Sequence, residues 1–195
     1  MKYIFSILLI ALVSFKQPTK VLIVGDSLSC YKNGWQDVVP KRMDWEKTNL
    51  SVPGKTTTWM LNVLTNELKV NKHYDKVFIY GGCNDAFSNI PINVTIDNVQ
   101  KMVDLCNANK IEPIVICGYN PQKVILKSPY KTEITVRARN RYSEIQSRYI
   151  NELKNCKVIG VCQTITVTDS DDGIHLIGSG HTKFINYIFN TLNPK

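Results

Sequence analysis

The chain has 195 residues and a formal net charge of +8 at neutral pH, enough for one domain with its own core, and it shows no internal repeat. Its basic residues are scattered, with no block of about five or six like charges and no interleaving of aromatic with basic residues, so nucleic acid is excluded as an expected partner. Neither the six cysteines nor the three histidines fall at metal-ligand spacing, and neither a metal nor another cofactor is expected.

Met1 and Lys2 precede an apolar run to Phe15, the pattern of a secretory signal peptide over 1–16 ahead of a domain over 17–195. The run is shorter than the roughly 20 apolar residues of a membrane span, so no stable span is expected in the mature chain. A secreted or periplasmic location follows. No Ala-x-Ala cleavage pattern is present, and an uncleaved buried strand or helix is the alternative.

An apolar strand at 21–24 runs into Gly25-Asp26-Ser27-Leu28, and a weaker strand at 49–52 runs into Pro53 and Gly54. The strand at 77–80 is followed by Gly81-Gly82-Cys83-Asn84-Asp85. Ile96, Val99, Val103 and Cys106 then recur at spacings of three and four, the period of one buried helical face. After a strand at 114–117, residues 118–133 lack periodicity and carry Pro121, Pro129 and Tyr130; they read equally as a substrate-access loop or a surface excursion.

Ile134, Ala138, Tyr142, Ile145, Tyr149 and Leu153 mark the next helix, and 158–161 the last strand. Cys156 and Cys162 flank that strand, roughly 20 Å apart at about 3.3 Å per residue, too far for a disulfide. Asp172-Gly-Ile-His175 forms a turn before a final helix carrying Phe184, Ile185, Ile188 and Leu192. Strands alternating with helices predict an α/β fold, a three-layer α/β/α sandwich around a mainly parallel five-stranded sheet. Right-handed crossovers place every strand's carboxyl end on one edge. Ser27, Asn84 and the turn ending at His175 can meet there.

A serine hydroxyl needs a base to take its proton as it attacks a carbonyl, and imidazole titrates close to neutral pH. Asp172 stands three residues before His175, where one turn brings a carboxylate to the ring's second nitrogen; Asp169 and Asp171 compete for that role, and His181 competes as base. Gly54 lacks a Cβ and lets backbone approach a substrate. Each piece also has a plain reading: Gly81-Gly82 and Asp172-Gly173 as turns, Asn84 as a cap, His73 as a surface residue and Cys83 as packing. Gly54-Lys55-Thr56 is no P-loop, because Asn49 stands where its first glycine belongs, and Asp169 opens no EF-hand, because Gly180 replaces the closing glutamate.

Taken in order, the segments around Ser27, Gly54, Asn84 and His175 resemble the blocks of the SGNH hydrolases, the GDSL esterase/lipase family, over nearly the whole chain; Leu176 departs from the Pro that many members carry after the His. The resemblance implies a flavodoxin-like SGNH hydrolase fold, with Ser27 as nucleophile, His175 as base, Asp172 as its orienting acid, and an oxyanion hole built from the Ser27 and Gly54 N–H groups and the Asn84 amide. The implied enzyme is a carboxylic ester hydrolase that works through an acyl-enzyme without metal or cofactor. Its expected substrate is a small-molecule or glycan acyl ester, foremost an acetyl group on a carbohydrate. The alternatives are a lipid or thioester acyl hydrolase and a catalytically silent carbohydrate-binding domain, with acyl length, leaving group and oligomeric state left open.

Overall fold

The computed structural model describes residues 17–194, so the signal peptide expected over 1–16 lies outside the described residues. Five strands form one parallel sheet in the order β2-β1-β3-β4-β5: β1 Lys20–Gly25, β2 Glu46–Asn49, β3 Lys76–Tyr80, β4 Glu112–Ile116 and β5 Lys157–Ile159. Helices connect them, namely α1 Trp35–Arg42, α2 Thr57–Val70, the short α3 Cys83–Phe87, α4 Ile92–Ala108, α5 Glu133–Glu152 and α6 Ser179–Leu192. The sheet has a layer of helices on each face, the α/β sandwich predicted from the alternation of elements.

Alternation along the strands distributes the core between the two faces. From β1, Leu22 and Val24 join Met60, Leu64, Val99, Met102, Tyr142, Ile145 and Tyr149 beneath α2, α4 and α5. Val21 and Ile23 face the other way and pack with Trp35, Val39, Phe184, Ile185 and Ile188 of α1 and α6. Because both faces are covered, β1 is apolar without interruption from Val21 to Val24, as a strand inside a parallel sheet must be.

The structure departs from the sequence reading at β2, at the end of β5 and at the start of α5. The edge strand is β2 at 46–49 and not 49–52: its residues Glu46, Lys47, Thr48 and Asn49 are all exposed, and pairing with β1 at Lys20↔Glu46 through Ile23↔Asn49 creates the strand without any apolar run. Residues 50–52 continue beside β1 outside regular pairing, with the Leu50 N–H donating to the Ile23 carbonyl at 2.9 Å and the Val52 N–H to the Gly25 carbonyl at 3.2 Å. The last strand stops at Ile159, after which the chain diverges to a single bridge between Tyr119 and Cys162. In α5 the expected stripe holds from Ala138 to Tyr149, but Ile134 is 58 % exposed because the first turn of the helix projects past the core.

Residues 118–133 contain a short 3-10 turn at Pro121–Lys123. The buried Arg139 guanidinium fastens it, donating to the Pro121 carbonyl and, at 2.6 Å, to the Val124 carbonyl. All six cysteines are free thiols.

Candidate active site

At the end of β1 the chain has little room. A Cβ on Gly25 would lie 2.8 Å from the Tyr80 carbonyl of the neighbouring strand, so glycine lets the backbone turn sharply out of the sheet. Asp26 follows, fully buried, and its Oδ1 accepts the Leu28 N–H at 3.0 Å, capping the 3-10 turn that begins at Ser27. The turn points the Ser27 hydroxyl into a cleft, where its Oγ lies 2.9 Å from His175 Nε2.

His175 belongs to the segment between β5 and α6. Its Nδ1 is 2.6 Å from Asp172 Oδ2, while Asp172 Oδ1 accepts the backbone N–H groups of Ile174 at 2.8 Å and His175 at 2.7 Å. Gly173, at φ +79°, allows so tight a turn. Burial pushes the Asp172 carboxyl upward, but the hydrogen bonds from the His175 ring and from the His175 and Ile174 backbones, with the imidazole's charge, outweigh it and hold the pKa down at about 2. Asp172 is therefore an anion at working pH, and the His175 ring presents its other nitrogen to Ser27.

Geometry separates the competing acids and bases. Asp169 is buried and accepts from the Thr166 N–H, the Ser179 hydroxyl at 2.8 Å and the Lys183 ammonium at 2.7 Å, which ties the turn to α6 and leaves nothing for a histidine. Asp171 pairs at the surface with Lys127 at 2.5 Å. His181 packs edge-on to Tyr31, 5.9 Å between centroids, and makes no side-chain hydrogen bond among the described residues. His73 is exposed.

Asn84 enters the same cleft from α3, which starts behind Gly82 at φ +103°; a Cβ on Gly82 would strike the Tyr149 hydroxyl at 2.7 Å. The Asn84 amide donates to Asp26 Oδ2 at 3.2 Å and to the Lys55 carbonyl at 3.1 Å. Gly54 does not line the cleft around Ser27 but is joined to it through Lys55, the next residue, whose carbonyl holds Asn84. Gly54 itself is exposed, at φ +76°, and a Cβ there would meet nothing within 4 Å. Its backbone conformation, not crowding, requires the glycine.

Two carboxylates that the sequence reading left without a role organise these parts. Asp26 spans the site, one oxygen capping the Ser27 turn and the other accepting from Asn84. Its burial drives the pKa up to about 7, against the Leu28 N–H bond and the His175 charge that pull it down and with the nearby Asp85 charge that adds to the rise. Asp85, also fully buried, accepts the Thr57 N–H at 2.9 Å, the Thr57 hydroxyl at 2.5 Å and the Thr95 hydroxyl at 3.3 Å, locking α2, α3 and α4 together behind Asn84. The sequence signal for both was an acid set directly beside a suspected site residue at the end of an apolar strand.

The cleft has a volume of about 290 Å³ and is walled by Cys83, Phe87, Ile174, Tyr130 and Thr135 around Ser27. Burial, then the charges of Asp26, Asp172 and Asp85, push the Cys83 thiol well above its ordinary range, so it stays protonated and serves as wall. Among the described residues no group of three His, Cys, Asp or Glu side chains is placed to hold a metal ion.

The model of the GDSL-like lipase/acylhydrolase family matches residues 23–183. The chain belongs to that family. Membership makes it a hydrolase of the esterase and lipase class, and the five-stranded fold agrees. Among solved structures, TesA superposes with a TM-score of 0.67 at 20 % identity, covering 90 % of this chain and 99 % of that one. The esterase EstA from Pseudoalteromonas sp., solved in a form inhibited by monoethylphosphonate, gives a TM-score of 0.61 at 16 % identity, covering 89 % and 96 %. A member of the lipolytic G-D-S-L family from Veillonella parvula gives 0.66 at 15 %, covering 91 % and 100 %. At these identities the likeness concerns the fold. No curated protein matches the GDSL-like chain in sequence.

Proposed function

We propose that the chain hydrolyses carboxylic esters through an acyl-enzyme on Ser27. The observation that carries this reading is the unbroken relay from Ser27 Oγ to His175 at 2.9 Å and from His175 to Asp172 at 2.6 Å. As Ser27 Oγ attacks the ester carbonyl, His175 Nε2 takes its proton, and Asp172 accepts the Nδ1–H and stabilises the imidazolium. The tetrahedral oxyanion is met by the Ser27 N–H and the Asn84 amide, and the Gly54 loop contributes by holding Asn84 through the Lys55 carbonyl. His175 then delivers its proton to the leaving alcohol, and a water activated by the same base releases the acid. At rest the amide hydrogens of Asn84 face Asp26 and the Lys55 carbonyl. Redirecting one of them to a full negative charge is an interaction gained in the transition state, the kind that accelerates chemistry.

For the substrate, the apolar side chains of Phe87 and Ile174 beside Ser27 support an apolar acyl group. The cleft volume falls at the low end of the range for small-molecule sites, about 300 to 1,000 Å³, which favours a short or medium chain over a long one. A second reading, an acetyl ester on a carbohydrate, is supported by the exposed rings of Tyr31 and Tyr130, on which a sugar can stack.

The test is Ser27→Ala with a series of model esters. The variant should keep its fold and lose both hydrolysis and labelling by a phosphonate of the kind that inhibits EstA; residual turnover near the wild-type level would refute the assignment. For the wild type, a rate maximum at butanoyl to octanoyl favours the apolar reading, and a steady fall from acetyl favours the acetyl ester.

A further inference from the structure

One feature outside the relay stands out on the cleft face: three apolar side chains exposed to water within ten positions of chain, set among cations. Ile125 is 66 % exposed, Ile134 58 % and Tyr130 46 %. Ile125 faces outward because its neighbours Val124 and Leu126 are both buried. Around them stand the exposed Lys123, Lys127, Lys131 and Arg137, with Glu133 as the acid of the same stretch.

This stretch borders the cleft. Tyr130 and Thr135 wall it, Lys127 pairs with Asp171 next to Asp172, and Leu126 packs where a Cβ on Gly173 would fall. The acids nearby are already engaged, Asp172 by His175, Asp169 by Lys183 and Asp171 by Lys127, while Asp26 and Asp85 are buried. Toward solvent the rim is therefore basic and apolar together.

We infer that residues 123–137 dock the enzyme on an anionic phospholipid surface, with Ile125 and Ile134 inserted at the acyl boundary and Lys123, Lys131 and Arg137 on lipid phosphates. Interfacial binding grows with buried apolar area plus attraction to anionic headgroups, and this rim offers both. Tyr130, apolar in its ring and polar at its tip, suits the headgroup level between them. An acidic polysaccharide would satisfy the cations equally well. It would leave the two isoleucines unexplained, since an aliphatic side chain neither stacks on a sugar nor bonds to one. Docking in this way does not depend on the hydrolytic reading, and it places the cleft mouth against the membrane.

The experiment is co-sedimentation of the full chain with phosphatidylcholine vesicles prepared with and without phosphatidylglycerol. The wild type should partition onto the anionic vesicles more strongly than the neutral ones, and less so as salt is added. Ile125→Ser with Ile134→Ser, and separately Lys123→Gln with Lys131→Gln, should each weaken that partition about tenfold or more, while turnover of a water-soluble short ester stays unchanged. Val70→Ser, an exposed apolar residue at the far end of α2, should bind as the wild type does. All variants share the same N-terminal sequence, so differences between them report on the rim. Ser27→Ala should still partition, which keeps a failure of the hydrolytic reading distinct from a failure of docking. Equal binding to neutral and anionic vesicles, or double variants that bind like the wild type, would overturn the inference. So would retention on polygalacturonate that is lost with the lysines and kept without the isoleucines.

Discussion

His175 and His181 lie six positions apart, yet their surroundings assign them opposite weights. His175→Ala should lower kcat by about a thousandfold or more, whereas His181→Ala, which removes only a ring beside Tyr31, should cost less than about tenfold; steady-state kinetics on a soluble ester separates them. Asn84→Ala should reduce kcat roughly a hundredfold with a smaller change in KM, because its amide gains most once charge has developed on the oxyanion. Asp26 yields a prediction about pH. Its folded pKa, near 7, lies above the usual carboxylate value, so between about pH 4 and 7 the native state binds more protons than the unfolded chain and stability falls as pH rises. Denaturant unfolding of Asp26→Asn should therefore show a smaller loss of stability than the wild type across that window. Asp172, held low, acts in the opposite sense and only as pH falls through its own range toward 2. At this scale the convergence of Ser27, Asn84, Asp172 and His175 on one cleft was legible because chemistry restricts residue type and the strand ends restrict position. Asp26 and Asp85 were present in the same motifs without a visible role, since a buried acid takes its meaning from partners tens of residues away, such as Thr57 and Asn84.

Among the elements, α4, α5 and α6 were readable from their spacing because each buries one long stripe against the sheet. No stripe marked α1: it is eight residues long, and it buries Gln36 and Pro40 beside Trp35 and Val39, so polar and apolar positions mix on its inner face. Strand β2 carried no apolar signal because an edge strand with exposed side chains is created by backbone pairing alone. The junction of α2, α3 and α4 rests on Asp85. Asp85→Ala removes the acceptor for two Thr57 donors and the Thr95 hydroxyl in a buried setting, and should lower stability by about 2 to 4 kcal/mol in urea unfolding. Asp85→Asn, which keeps an acceptor, should cost less. A variant as stable as the wild type would remove Asp85 from the account of how Asn84 is held.

For the molecule as a whole, the parallel topology was legible because strands and helices alternate, and with it the convergence of site residues on one edge. What the sequence could not supply was the reach of the segment after β5, whose path back to Ser27 is set by the Asp169 anchor and by the packing of α6 on α1. Ester hydrolysis should proceed undiminished in EDTA, since every step of the proposed reaction falls to a side chain or backbone N–H; loss of activity on chelation, restored by a divalent ion, would contradict it.

Ser27 and His175 are separated by 148 positions, one leaving the first strand of the sheet and the other following its last. A chain emerging from the ribosome therefore presents its serine long before it possesses a base. Until the segment carrying Asp172 and His175 has been made and α6 has settled against α1, Ser27 has no base beside it and is an ordinary alcohol. The long-range contact that completes the site is also among the costliest in loop-closure entropy, so activity should return in a refolding experiment no earlier than the docking of the C-terminal helix. The same separation leaves the relay incomplete during synthesis, and activity becomes a report that the segment carrying His175 and the helix α6 behind it have been made and docked.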